Sequence, residues 1–176
     1  MKIDVRHILA AHFGTLTNAK TGRTSVVDIL TFYVLPAIVA GLVAFDEEKF
    51  PDAFYGLAIS VFAIFAALLF SVQIALFSIL QRDMSATTGV QAKSRTGVER
   101  RLDERRELIR EVNANISYLI LIACLGVAML LGFSLTPHLS LVRSIISTYL
   151  VCHFVLTILL IIARVHTLFD EEYRRK

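Results

Sequence analysis

The sequence predicts an all-α integral membrane protein with four transmembrane helices, both termini on the cytoplasmic side, and a cytosolic helical hairpin that extends spans 2 and 3. Three observations support this fold class. Hydrophobic residues make up 56% of the 176 residues and charged residues 19%, whereas soluble domains average about 45–50% and about 25%. The charged residues are clustered, so that four long apolar runs lie between them. Lys and Arg are divided very unequally among the segments that connect those runs.

The four apolar runs are each long enough to cross a hydrocarbon core as a helix, which takes about 20 residues. We predict spans at 26–45, 53–80, 112–133 and 144–163. A cytoplasmic amphipathic segment (1–24) precedes this transmembrane domain (25–170), the hairpin occupies 81–111, and a cytoplasmic tail (171–176) follows. We expect the first run to be retained, because it is too long for the apolar part of a signal peptide.

The distribution of basic residues predicts the orientation. Segments 1–25, 81–111 and 163–176 hold 16 of the 18 Lys and Arg residues, and the connections 46–52 and 134–143 hold the other two. Basic connections remain on the cytoplasmic side of a membrane. Both termini and the hairpin are therefore predicted to be cytoplasmic, in a multi-pass membrane protein.

Apolar residues of the N-terminal segment recur at helical spacing: Val5, Ile8, Leu9, Phe13 and Leu16. This pattern is typical of an amphipathic helix, and two interpretations are open. The helix could lie at the inner headgroup level, or it could pack on the cytoplasmic face of the protein itself. His7 and His12 are five residues apart and do not share a helical face, so we predict no metal site there.

The first span has a recognisable start and an irregular interior. Ser25, with Asp28 three residues later, forms a capping pattern that explains why an acid stands at the beginning of an apolar run. Pro36 lies about ten residues further on and should kink the helix, since proline has no backbone N–H to donate.

Small residues predict how the membrane helices pack. Lipid gives helices no hydrophobic reason to associate, so close approach over small side chains must supply the contact. We expect the second span to be buried, against its own bundle or against a copy of itself. The candidate packing residues are Gly41 in span 1 and Ala63, Ala67, Ser71 and Ala75 in span 2.

The stretch "VERRLDERRELIREVNANISYLI" at 98–120 begins as a charged helix and continues into the third span without a helix breaker. An apolar seam at heptad-like spacing includes Val98, Leu102, Ile109, Val112 and Ile116. The cover for this seam could be another subunit, the N-terminal helix or a cytosolic protein. The candidate docking residues for a cytosolic protein are Arg100, Arg101, Leu102, Arg105 and Arg106.

Among the polar residues of the predicted spans, four are candidates for a function: Gln73, Asn113, Asn115 and His153. His153 is near mid-membrane, where it could line a pore or sense protons, although a neutral histidine bonded inside the bundle is the favoured interpretation. Gln73 lies at similar depth, which predicts a Gln73–His153 hydrogen bond. A polar collar could form where the third span enters the membrane, from Asn113, Asn115, Ser117 and Tyr118, or these residues could reflect interfacial preference.

The sequence contains no Gly-rich phosphate loop, no Ser/His/Asp set and no paired carboxylates within a span. We therefore expect neither enzymatic activity nor a cofactor. The basic residues of the hairpin are mixed with as many acids, so direct nucleic-acid binding is not expected, and anionic lipid or a protein partner is favoured.

The stretch "RRLDERRELIREVNANISYLILIACLGVAMLL" entering the third span, the predicted cytoplasmic termini and the lack of enzymatic motifs resemble a known class. The layout is similar to the small four-span membrane subunits of bacterial anti-phage defence systems of the Kiwa type. That resemblance implies a homo-oligomer, with a tetramer favoured, that docks a cytosolic, nucleic-acid-acting partner. We thus predict a membrane scaffold or sensor. A small ion channel or pore-forming effector, and an accessory subunit of a transporter or respiratory complex, are the alternatives.

Overall fold

The computed structural model describes residues 5–16, 25–43, 45, 50–87, 95–135 and 140–173, and their regular structure is helical throughout. Helix α1 is Val5–Thr15. The first membrane helix consists of α2 (Val26–Ile29), a π-helical turn (Leu30–Val34) and α3 (Leu35–Val43). Three long helices follow: α4 (Asp52–Thr87), α5 (Arg95–Ser134) and α6 (Ser140–Tyr173).

Four stretches of these helices are long and apolar enough to cross a membrane. They are Val26–Val43 (span 1 below), Asp52–Ile79, Arg106–Ser134 and Ser140–Thr167. The prediction of four helices of membrane-spanning length is thereby confirmed. Helix α4 continues for eight residues beyond Ile79, and α5 begins eleven residues before Arg106.

Span 1 is irregular close to Pro36. The Ser25 side chain accepts a hydrogen bond from the Asp28 backbone N–H at 3.3 Å, which confirms the predicted N-terminal cap. The π-helical turn Leu30–Val34 comes immediately before the turn that contains Pro36. Proline cannot donate to the carbonyl four residues earlier, which belongs to Phe32, so regular α-helical bonding is interrupted there.

Helix α5 is the centre of the fold. It packs against α1, α4 and α6, while span 1 packs on the far side against α6. The predicted seam is confirmed in its described part, because Ile109, Val112 and Ile116 are each fully buried. The same face continues through Leu119 and Ala123 to the end of the helix.

Helix α4 contacts α5 through large side chains. Tyr55, Ala58, Phe62 and Leu76 are buried on this side, and the ring of Phe62 meets Phe154 of α6 edge-on at 4.6 Å between ring centroids. Because a helix repeats every 3.6 residues, the small-residue stripe lies on the opposite face. Of the two covers that the sequence left open for this stripe, the chain's own bundle is not the one observed, because Ala63, Ala67, Ser71 and Ala75 are all exposed.

The N-terminal helix α1 packs on α5. His12, Thr15 and Leu16 are buried at its C-terminal end, whereas Phe13 is 46% exposed. The helix therefore joins the body of the protein mainly through its last turn.

The opposite end of the fold is held by an arginine. Arg143, close to the start of α6, pairs with Asp52 at the start of α4 at 3.0 Å, and its guanidinium lies 4.2 Å from the centroid of the Tyr55 ring. The guanidinium is buried while the Asp52 carboxylate is exposed. This contact links the beginnings of α4 and α6. Elsewhere α4 packs mainly on α5, and α6 packs on α5 and span 1.

Two glycines of α5 provide a matched test of the α4–α5 contact. A Cβ atom at Gly126 would lie 3.4 Å from the Phe62 ring, whereas nothing lies within 4 Å of a Cβ at Gly132. We expect G126L to destabilise the protein by about 1–3 kcal/mol relative to G132L, because overpacking a filled interface is costly. Thermal unfolding followed by circular dichroism in detergent measures this difference. Equal midpoints for the two variants would contradict the packing described here.

Candidate functional site

A buried cluster of polar rings joins four helical segments in the half of the fold that contains α1. Its members are His12 of α1, Tyr33 of span 1, Asn115 and Tyr118 of α5, and His153 of α6. We call these five residues the histidine–tyrosine cluster. His12, Asn115, Tyr118 and His153 are each at least 96% buried. Buried polar groups in a membrane mark functional or structurally decisive positions.

His153 is bonded through both ring nitrogens. Its Nδ1–H donates to the backbone carbonyl of Phe32 at 2.7 Å, and its Nε2 accepts from the Tyr118 hydroxyl at 2.8 Å. A carbonyl can only accept, so the hydrogen-bond pattern fits a neutral ring that carries its proton on Nδ1. The Phe32 carbonyl is available because Pro36 has no N–H to occupy it. Pro36 leaves the Phe32 carbonyl free and His153 donates to it, so both residues are needed for the same hydrogen bond between span 1 and α6.

His12 enters the cluster from α1. Its Nδ1–H donates to Asn115 Oδ1 at 2.7 Å, and its Nε2 accepts from the Tyr33 hydroxyl at 3.1 Å. The imidazole lies flat on the Tyr118 ring, with 3.8 Å between centroids and 3° between planes. This one side chain therefore holds α1 against both span 1 and α5.

The C-terminal end of α1 has two further attachments. The Thr15 hydroxyl lies 2.7 Å from the His12 carbonyl and 2.9 Å from Asn115 Oδ1. Arg164 of α6 donates to the Thr15 carbonyl at 2.6 Å and pairs with Glu111 of α5 at 2.9 Å. A cation at a helix C-terminus satisfies carbonyls that lack a partner within the helix and interacts favourably with the helix dipole.

The surroundings of His12 favour its neutral form. Burial lowers its pKa from 6.5 to about 4, and the nearby His153 and Arg164 lower it as well, against the opposing effect of the hydrogen bond to Asn115. A neutral imidazole can accept from Tyr33, whereas a protonated ring has no lone pair with which to do so. Protonation of His12 therefore reverses this hydrogen bond, so that the ring must donate to the Tyr33 oxygen, and it places a positive charge among buried groups that hold α1.

The hydrogen-bonded chain of the histidine–tyrosine cluster ends in an amide group on each side. Asn115 and the Phe32 carbonyl are amide groups, which bond to the histidines but do not relay protons at neutral pH. Within the described part of the chain, no group of three or more His, Cys, Asp or Glu residues could hold a metal ion. The geometry therefore supports a structural role, in which these hydrogen bonds attach α1 and span 1 to α5 and α6.

The structure places the predicted intramembrane residues in three different environments. The Gln73–His153 hydrogen bond is wrong, because Gln73 Nε2 donates to Ser117 at 2.9 Å. Ser117 and Tyr118 are neighbours on α5 and so point about 100° apart, one toward α4 and the other toward α6. His153 and Asn115 are brought together through Tyr118 and His12, while Asn113 is half-buried beside a separate cavity.

The remaining predicted residues lie elsewhere. The side chains of Arg100, Arg101, Leu102 and Arg105 are outside the described residues, and Arg106 is half-buried near the start of the α5 spanning segment. Gly41 of span 1 is half-buried, with nothing within 4 Å of a Cβ placed there. Gly41 thus gives no close helix contact within the described part of the chain.

Sequence reasoning did not assign His12, Tyr33 or Arg164 to this site, and it placed Tyr118 only in the polar collar. One signal for this site was present in the sequence. Pro36 frees a carbonyl in span 1, and His153 of α6 is a possible hydrogen-bond donor at similar depth. The partner of that carbonyl could have been sought among polar side chains of the other spans.

No protein-family model, no curated protein and no solved structure matches this chain.

The depressed pKa of His12 predicts pH-dependent stability. The folded pKa of about 4 lies below the unfolded value of 6.5, so the stabilisation is complete above pH 6.5 and is lost as the pH falls toward 4. Between pH 7 and 5 we expect a loss of about 2 kcal/mol in the wild type. Thermal midpoints of wild type and H12Q, measured at both pH values, isolate the contribution of this ring.

In H12Q, which has no imidazole at position 12, the midpoint should change less over the same range. H166A removes an exposed histidine of α6 and should keep the pH dependence of the wild type. An H12Q profile that follows the wild-type profile would show that His12 is not the titrating group.

Proposed function

We propose that this protein is a homo-oligomeric scaffold or sensor of the bacterial inner membrane that docks a soluble cytosolic partner. By resemblance, it would be the membrane subunit of an anti-phage defence system. The observation that carries this proposal is the helical continuation of α4 and α5 beyond their spanning segments. A pair of helices that extends past the membrane offers a partner a surface that the bilayer does not cover.

Several elements meet at the end of the fold from which α4 and α5 continue. The Arg164–Glu111 ion pair brings the C-terminal part of α6 beside α5, and α1 packs on the same region. The chain segments at this end hold 16 of the 18 basic residues. The positive-inside rule therefore supports a cytoplasmic location for this end.

Self-association is supported by the face that α4 leaves uncovered. Ala63, Ala67, Ser71 and Ala75 lie on the side of α4 that points away from α5. The Ser71 hydroxyl donates to the Ala67 carbonyl of its own helix at 3.1 Å, so it needs no outside partner. A smooth face of small residues allows another helix to approach closely, which is the main source of helix association in lipid.

Bulky substitutions test the proposed self-association. We expect the wild type in detergent to have a protein mass that is a multiple of 19.7 kDa, and A63L/A67L to have a smaller mass because leucine prevents close approach. A128L makes the same change at an exposed position of α5 and should retain the wild-type mass. Light scattering coupled to size exclusion gives these masses. A monomeric wild type would refute self-association.

Charge reversal tests the docking of a partner. We expect R101E/R105E to lose the soluble cytosolic protein that co-purifies with the wild type, while R174E, which changes the C-terminal tail, retains it. Both variants should insert normally, with a reporter fused at Ala92 in the hairpin read from the cytoplasm. Full co-purification of R101E/R105E, or a periplasmic reporter at Ala92, would contradict the proposal.

A further inference from the structure

A cavity of about 230 Å³ lies in the groove between α1 and α5, on a different side of α5 from the histidine–tyrosine cluster. The α1 side is formed by His7, Ile8 and Ala11, and the α5 side by Arg110, Asn113 and Ser117. The cavity is therefore enclosed by an amphipathic helix on one wall and by the first turns of a membrane-spanning helix on the other.

The lining changes character with depth along α5. Arg110 lies just before the uncharged run that begins at Val112, which places its guanidinium at the headgroup level. Asn113 lies one turn deeper and Ser117 two turns deeper, about 10 Å further along the helix axis than Arg110. Ile8 and Ala11 of α1 face the same space. One end of the cavity is cationic, and the other carries amide, hydroxyl and apolar groups.

Existing contacts leave the cationic end accessible to an anion. The Arg110 side chain is 73% exposed, and the Glu107 side chain, whose carboxylate lies 3.8 Å from the Arg110 guanidinium, is 67% exposed. An exposed pair at that distance contributes little and is readily exchanged. The nearby Glu111 is engaged by Arg164 at 2.9 Å. The Ser117 hydroxyl donates to the Asn113 carbonyl and accepts from Gln73, so the donor facing this region is the Asn113 amide.

We propose that this cavity binds the headgroup of an anionic phospholipid. The phosphodiester would accept hydrogen bonds from Arg110 and from a ring nitrogen of His7. An ester carbonyl of the same lipid would accept from the Asn113 side-chain amide, and the glycerol and upper acyl chain would lie against Ile8 and Ala11. This order of groups, from charged to polar to apolar, matches the order in a phospholipid entering the membrane. The inference does not rest on the proposed function.

A lipid in this position would contact α1 and α5 together. Its binding would therefore add to the attachment of α1 that His12 and Thr15 provide from the other side. A ligand that binds only the docked arrangement stabilises it by mass action.

Native mass spectrometry of the full chain tests this site. The probe is phosphatidylglycerol, with phosphatidylcholine as a zwitterionic comparison and glycerol 3-phosphate as a source of the same phosphate without acyl chains. We expect the R110Q/N113L variant to bind phosphatidylglycerol about tenfold more weakly than the wild type, since two hydrogen bonds, one of them charge-assisted, are lost. R174Q removes one positive charge from the C-terminal tail and should bind like the wild type.

Each outcome distinguishes a site from general attraction. Three results together support the proposal. R110Q/N113L binds phosphatidylglycerol more weakly than the wild type, whereas R174Q does not. The wild type binds phosphatidylcholine more weakly than phosphatidylglycerol, and glycerol 3-phosphate does not compete with phosphatidylglycerol. Equal losses in R110Q/N113L and R174Q would show attraction by net charge and overturn it. Unchanged binding in R110Q/N113L, with a thermal midpoint equal to that of the wild type, would overturn it as well. Displacement by glycerol 3-phosphate would assign the cavity to a soluble phosphate compound instead of a lipid.

Discussion

The hydrogen bond from His153 to the Phe32 carbonyl determines how span 1 is attached to the rest of the protein. Hydrocarbon contains no water that could satisfy a free carbonyl, so each one must find a partner inside the protein. Pro36 leaves the Phe32 carbonyl without its usual helical donor, and the Nδ1–H of His153 replaces that donor at 2.7 Å. Span 1 thereby gains a specific rotation and axial position on α6. Apolar packing alone does not define that position, because an apolar side chain is solvated about as well by lipid as by another apolar side chain.

The same principle extends from His153 to α1. Tyr118 donates to His153 and forms the flat surface on which His12 lies, and His12 in turn reaches Asn115 and Tyr33. Every segment except α4 therefore contributes to one neutral polar cluster. Helix α4 is attached mainly through large apolar side chains such as Phe62, with polar contacts between Gln73 and Ser117 and between Asp52 and Arg143. The fold thus combines a buried polar cluster on one side of α5 with a largely apolar contact on the other, and the polar cluster contains the histidine whose protonation is disfavoured.

The sequence was sufficient for features that depend on one segment at a time. Uncharged runs predicted the four long helices, Ser25 predicted the cap of span 1, and the spacing of Ile109, Val112 and Ile116 predicted the buried face of α5. Features that depend on the rotation of one helix against another were not predictable in this way. The equal depth of Gln73 and His153 suggested that they form a hydrogen bond. Helix α5 instead lies between them, with Ser117 bonded to Gln73 of α4 and Tyr118 bonded to His153 of α6. The small-residue stripe of α4 could not be assigned to an internal or external contact, because small size permits both.

The attachment of span 1 by a polar contact can be measured directly by omitting residues 1–24, whose helix α1 has its own contacts with α5 and α6, dividing the chain in the connection between span 1 and α4, and co-expressing the two parts. The account predicts that the parts co-purify when His153 is present and separate in H153F, which fills the space but cannot donate to Phe32. L150A, an apolar change close by on the same helix, should leave them associated. Co-purification of H153F at the wild-type yield would show that apolar packing suffices to hold span 1, and it would contradict the central role given to this hydrogen bond.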